Sequence, residues 1–449
     1  MDQNQQIPTI KPAFSAKPFW LRLIQGSSSW LGIFTDEAYS SDQLSAHIGG
    51  LNFKLINKPS EIKQIMQENM SSYPKHELTQ WLLSPLIGRA SFSINGDEWS
   101  ESRNKIESIL HQMLDHNVDL FINKAIKRLD FKISNLLKKP DGNIIDASLL
   151  MTSFTSDVII LMIFSDVFTE EELKSINFDF REFQRRSAYI AIAALLGVPK
   201  ILLYSHLHVP AQRIRAILSK KIQHRIQFLD ERVNQQPDLL DIFLKNENFS
   251  SIEILDQVCM LYLAGHETTA STLTMSLYLL ASIPSIQIDL HTALRNSSIA
   301  GCDSELNKLI LSVFSETLRL YPPIPLLIRE HTEIKQTSIN RCPLKTLVAV
   351  SPWIMHRHSK YWVEPLNFIA DRFLVNTKKT YKNIYIPFGI GPRICPGASL
   401  AKKEALELLK YIISNFKLKT VNSEIPQLVG RLTLRPKKNI KLIFSHHKS

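Results

Sequence analysis

The run Phe388-Gly389-Ile390-Gly391-Pro392-Arg393-Ile394-Cys395-Pro396-Gly397 is rich in glycine and proline and has no regular period. Directly after it, Leu400, Ala401, Leu406, Leu409, Tyr411 and Ile412 recur at helical spacing, which predicts a helix over 398–416. Cys395 therefore stands at a helix N-terminus. Unpaired backbone N–H groups and the positive end of the helix dipole favour a thiolate there, and the thiolate is the form that ligates metals. Gly389, Gly391 and Gly397 let the backbone come close to something bulky and flat. The bland alternative is a cysteine packed in a loop without chemistry.

The spacing says more than the cysteine alone. Phe388, Gly391, Arg393, Cys395 and Gly397 match the pattern Phe-x-x-Gly-x-Arg-x-Cys-x-Gly, and the stretch resembles the haem-binding signature of the cytochrome P-450 family. The resemblance implies Cys395 as the iron ligand of heme b (iron protoporphyrin IX), with Phe388, Arg393 and Gly397 beside the cofactor. It also implies a mainly α fold with a small β-region. The haem would lie between a long central helix and the helix that follows the cysteine loop.

Residues 252–283 supply that long helix. They contain no proline, Pro284 follows them, and at roughly 1.5 Å per residue they span about 48 Å. Their centre reads Ala264-Gly265-His266-Glu267-Thr268-Thr269, an acid and alcohols in an otherwise apolar helix. Buried polar groups need a partner or a role. The segment resembles the family's Ala/Gly-Gly-x-Asp/Glu-Thr motif. That resemblance implies Ala264 against the cofactor, Gly265 as a notch for the sixth iron position, and Glu267 with Thr268 as the pair that manages protons. His266 falls on the motif's variable position and is given no catalytic role. The alternative is Thr268 bonding back to its own helix, with Glu267 exposed.

Other matches are weaker singly. Trp99 and Arg103 lie four apart after an Asn95-Gly96 turn, so they share a helix face; the resemblance implies a haem propionate between them. Arg329 follows the apolar run 324–328 and is implied as a further propionate ligand. Glu316 and Arg319 share a face just before Tyr321-Pro322-Pro323, and Ala370-Asp371-Arg372-Phe373 resembles the family's Pro-Glu-Arg-Phe segment without its Pro and Glu. A structural network Glu316–Arg319–Arg372 is expected. The region 72–92 shows poor periodicity and reads as an apolar loop that either lines a pocket or packs in the core, and 429–433 is a fainter candidate for the pocket wall. Residues 51–56 read as a strand.

Composition bounds the remainder. The chain has 449 residues, 44% hydrophobic and 21% charged, which fits one large globular domain over 1–449 built round a cofactor. Residues 1–40 are read as an N-terminal extension and first helix without a signal peptide or membrane anchor, so a cytoplasmic, bacterial-type protein is expected. The four cysteines, Cys259, Cys302, Cys342 and Cys395, are widely spaced and argue against a zinc ribbon, an iron–sulfur cluster or a disulfide scaffold. A net charge of +11 is spread along the chain without a nucleic-acid motif. It suits an acidic electron donor better than DNA or RNA. The apolar stretch 188–204, interrupted by Gly197 and Pro199, falls by the resemblance between two helices that roof the substrate pocket, which implies a lid or a peripheral membrane contact, with buried packing as the alternative. The expected activity is a haem-thiolate monooxygenase acting on a hydrophobic small molecule. Its electrons would come from a separate ferredoxin with its reductase, or from a flavoprotein. A peroxygenase, a haem-thiolate isomerase and a non-catalytic haem sensor are the rivals.

Overall fold

The computed structural model describes residues 7–12, 29–48, 51–116, 118–165, 168–195, 197–228, 236–246, 248–300, 303–332, 343–374 and 380–447. Cys302, Cys342 and residues 13–28 of the N-terminal extension lie outside these.

The helix Ser251–Ser282 crosses the molecule, and its ends are where local chemistry puts them. Ser250 and Glu253 form a reciprocal capping box at the start, and Ile283 before Pro284 closes the end. The observed bounds agree with the expected 252–283 to within one residue. Packed along it is the helix Ala147–Phe164, buried on nearly every side. Among the described residues this is the one single helix long and apolar enough to cross a membrane, and most of it is enclosed by protein. Thr155 Oγ1 donates to His266 O at 2.7 Å, tying the two helices at the centre of the motif.

Above them lie the helices Glu170–Leu195 and Lys200–Gln227. Arg213 pairs with Asp179 at 3.1 Å and Lys221 with Glu172 at 2.8 Å, a register that makes the two antiparallel. The stretch 188–204 is therefore two helix ends joined near Gly197. Ala188, Ile190 and Ala191 are buried, whereas Tyr189, Leu202 and Tyr204 are exposed.

The β-structure is small. Strands β1 (Gln43–Ile48) and β2 (Leu51–Ile56) form a hairpin, and β2 runs parallel to a later strand, Leu347–Val350. With β3 as Ile144–Asp146, β4 as Leu327–Glu330 and β5 as Leu347–Val350, the first sheet has the order β1-β2-β5-β4. Its β5 is buried throughout, as its Leu-Val-Ala-Val sequence requires. A second sheet joins β3 to β9 (Lys441–His446) and β6 (Phe416–Thr420), and β7 (Leu428–Gly430) pairs with β8 (Leu434–Pro436) as a hairpin.

The expected ion network is present. Arg319 Nε and Nη2 donate to the two Glu316 carboxylate oxygens at 2.7 and 2.8 Å, and Arg372 Nε reaches the same carboxylate at 3.0 Å. Glu316 and Arg319 are fully buried. Each charge is paired, and Arg319 also donates to the carbonyls of His356, Pro365 and Asn367.

One expectation fails. The supposed loop within 72–92 contains the helix Glu77–Ile87, N-capped by His76 Nδ1, which accepts from Leu78 N–H. Its apolar residues follow no single stripe because Leu82, Leu83, Leu86 and Ile87 are all enclosed by neighbours.

Candidate active site

The loop before the helix Ala398–Asn415 is held by its own backbone. Cys395 N–H donates to Phe388 O at 2.9 Å and Ile394 N–H to Gly391 O at 3.0 Å. Gly391 has φ +78°, and a Cβ there would lie 2.2 Å from Met66 O. A side chain is therefore excluded by the Met66 backbone, a closer approach than the expected one to a flat guest. Gly397, with an ordinary φ of −86°, carries no such constraint.

The Cys395 thiol opens onto a cavity of about 770 Å³. Ala264, Gly265 and Thr268 of the central helix line the same cavity, as do Phe388, Gly397 and Leu400. The notch at Gly265 has a second cause: an added Cβ would meet Ile159 Cδ1 at 2.9 Å, so glycine also admits the neighbouring helix. Thr268 Oγ1 donates to Ala264 O at 2.7 Å. Glu267 is not itself a lining residue, but Gln184 and Thr433, which bond to it, are. Its carboxylate accepts from the Gln184 side-chain amide, and burial raises its pKa against the pull of Gln184, Arg435, Thr433 and Arg181. Thus Thr268 bonds back to its own helix, while the acid is held inside by a roof residue. His266 is buried between Phe180 and Tyr262, with its pKa pushed down to about 4 by burial, and serves packing.

The thiol does not follow the expectation of a thiolate set by the helix end. Burial pushes the Cys395 thiol up, and the Gly397 N–H and the Arg103 charge only partly offset this. Desolvation disfavours the anion more than one N–H stabilises it. Ionisation is left to a bound cation, which lowers a coordinating thiol's pKa outright.

At another part of the wall four cations converge. Arg393 stacks on Trp99, 4.3 Å from its ring centroid, and donates to Ile94 O at 3.1 Å and Asn95 Oδ1 at 2.9 Å. Arg103 reaches Glu107 at 2.8 Å and the carbonyl of Ile394, the residue before the cysteine. Arg329, in β4, is buried and donates to Ile328 O at 2.9 Å. Lys75 donates to Phe92 O and sits over that ring. Burial lowers the pKa of Arg329 to about 10. Burial, then Arg329 and Arg103, lowers that of Arg393 to about 9. Lys75 is driven well below its usual value by burial and by the three arginines.

Among the described residues only Arg103 of the four meets a carboxylate. Such a cluster is electrostatically incomplete without an anionic guest. A cofactor with two carboxylates at one edge and a thiolate-seeking iron at its centre fits these walls. Trp99, Arg103, Arg329, Arg393 and Cys395 are brought to one cavity as expected. The sequence reading missed Lys75, for which Tyr73-Pro74-Lys75 carries no motif. It missed Gln184, one polar residue on a long amphipathic helix. It also missed Glu404, a buried carboxyl on the cysteine helix that lines the cavity with Oε2 unpaired and its pKa raised to about 8 by burial.

A sequence model of the family Cytochrome P-450 matches residues 37–444. The chain is 26% identical over 430 residues to Protein LUTEIN DEFICIENT 5, chloroplastic, of Arabidopsis thaliana, covering 88% of this chain and 70% of the relative. It is 27% identical over 429 residues to Cytochrome P-450 714C2 of Oryza sativa subsp. japonica, covering 88% and 78%. A crystal structure of a cytochrome P-450DA mutant heme domain superposes with a TM-score of 0.76 at 19% identity, covering 91% of this chain and 90% of that one. The chain belongs to the cytochrome P-450 family: it is a haem-dependent monooxygenase, an oxidoreductase. Both relatives are plant proteins, so they lend no support to the expectation of a bacterial-type member.

Proposed function

We propose that the protein inserts one oxygen atom from dioxygen into a hydrophobic small molecule, by hydroxylation or epoxidation, with electrons from a separate donor protein. The observation that carries this reading is the shared cavity of Cys395, the Ala264-Gly265 notch and Thr268, whose wall away from the cation cluster is largely apolar. When bound, the haem supplies reductive dioxygen activation at its iron. The chain's own residues do the rest. Cys395 donates electron density as a thiolate ligand, and Arg329, Arg393, Lys75 and Trp99 hold the carboxylate edge. Thr268 Oγ1 can exchange its Ala264 acceptor for a guest in the cavity, and Glu267 behind it, kept protonatable by burial, can replace the proton Thr268 gives up. Leu82, Leu83, Ile159, Met162, Phe183 and Leu261 exclude water from the reacting end.

The test is turnover of a hydrophobic substrate with isotopically labelled dioxygen and a surrogate reductase. One labelled oxygen per product is expected. Product formed with peroxide and never with dioxygen and reductant would instead establish a peroxygenase.

A further inference from the structure

A buried imidazole stands between the cysteine loop and the helix that bears the ion network. His356 follows the short helix Pro352–Met355, and its ring meets two backbone groups of opposite kind. Nδ1 lies 3.1 Å from Arg319 O, near the end of the helix Ser304–Leu320, and Ile386 N–H donates to Nε2 at 2.8 Å. A carbonyl only accepts and an amide N–H only donates, so these partners admit one protonation state: the neutral ring, with its hydrogen on Nδ1 and a lone pair on Nε2. Arg319 Nη1 returns a bond to His356 O at 2.8 Å, and the ring rests on Tyr385, whose hydroxyl donates to Ser315 O at 3.0 Å. The charged and titratable groups around it are Arg319 with its partner Glu316, Arg357 and Tyr385. Burial, then the charges of Arg319 and Arg357, drives the His356 pKa well below the usual histidine range. An imidazolium there would set N–H against N–H.

From Ile386 the path to the sulfur is short. Ile386 O accepts from Gly389 N–H at 3.0 Å, and Phe388 O accepts from Cys395 N–H at 2.9 Å. Phe388 and Cys395 both line the cavity. We propose that His356 is a positioning residue for the iron ligand: held on Arg319 O, the neutral ring anchors the Ile386 amide and so sets where the Cys395 sulfur stands. Groups behind a metal ligand that fix its orientation affect the bond nearly as much as the ligand's own surroundings. The inference deepens the haem-thiolate reading and rests on it. Side-chain length supplies a way to cut the strut at either end. An asparagine amide nitrogen falls near the place of Nδ1 and can donate to Arg319 O, but stops short of Ile386; a glutamine amide oxygen reaches the place of Nε2 and can accept from Ile386 N–H.

The test is the reduced carbon monoxide spectrum of haem-loaded His356→Gln and His356→Asn, recorded on heating beside the circular dichroism of the same samples. His356→Gln should keep most of the thiolate-type band. In His356→Asn the ratio of thiolate-type to non-thiolate band should fall about tenfold in protein that is still folded, and the rest of the band should go before the fold does. Leu240→Ala serves as the control: it opens a cavity in the helix Leu239–Lys245, which packs on the helices Gly96–His116 and Ala147–Phe164, and it should lose the band only as it unfolds. Equal ratios in the two His356 variants, or band loss that tracks unfolding in all three, would overturn the proposal. Hydrogen exchange of the unaltered protein decides the matter where a variant does not fold. The Ile386 amide should exchange only through global unfolding, and exchange at the rate of an open loop would overturn the proposal as well. A thiolate-type band in the unaltered protein with equal variants defeats positioning alone, and its absence from the unaltered protein defeats the haem-thiolate reading.

Discussion

Thr268 already has an acceptor 2.7 Å away in its own helix, so removing its hydroxyl leaves no buried donor unsatisfied. Thr268→Ala should therefore change folding stability by less than about 1 kcal/mol. Product formed per dioxygen consumed should nevertheless fall severalfold as peroxide takes its place, a ratio read from parallel product and peroxide assays. Unchanged coupling would assign proton handling to another group. Glu404 behaves differently. Its carboxyl is raised from 4.5 to about 8 by burial, so the native state holds a proton that the unfolded chain releases. A raised carboxyl pKa contributes stability that is fully present below the unfolded value and is lost as pH rises through the folded one. Denaturant midpoints should thus decline from pH 5 to pH 8, and Glu404→Gln should flatten that decline by on the order of 3 kcal/mol. Equal slopes would show that Glu404 is hydrated or paired. Neither the proton on Glu404 nor the clustering of Lys75 with three arginines is visible along the chain, because both arise from desolvation by residues far away in sequence. Cys395 and Thr268 were legible because their motifs compress the required geometry into a few adjacent positions.

At the scale of elements, the cysteine loop is positioned by a contact that no local pattern announces. Gly391 combines a left-handed φ of +78° with Met66 O 2.2 Å from where a Cβ would stand, while Gly397 has its nearest neighbour at 3.9 Å, the cysteine sulfur. Gly391→Ala should destabilise the protein by more than about 2 kcal/mol and loosen its hold on haem, whereas Gly397→Ala should stay within about 1 kcal/mol. Thermal denaturation with haem absorbance as a second probe checks both, and equal behaviour of the two variants would refute the assignment. The central helix was readable because a proline-free run ending at Pro284 marks its extent, and the structure adds a capping box at its start. The helix Glu77–Ile87 was not, since neighbours enclose several of its faces and erase the 3.6-residue stripe that would reveal it. Parallel pairing of β2 with β5 joins strands almost 300 residues apart, and short strands carry no register information across such a distance.

For the whole molecule, the helices and small sheets serve one arrangement: a thiol, a notched helix and a ring of cations around one cavity. The buried Glu316–Arg319–Arg372 network fixes the segment leading to the cysteine loop, and the antiparallel roof helices carry Gln184 down to Glu267. Every functional reading depends on Cys395 meeting the iron. The reduced carbon monoxide spectrum of the haem-loaded protein, recorded beside that of Cys395→Ala, tests this most directly. The unaltered protein should show the thiolate-type band and Cys395→Ala should lose it; a band that survives the substitution would contradict the assignment of Cys395 as the iron ligand.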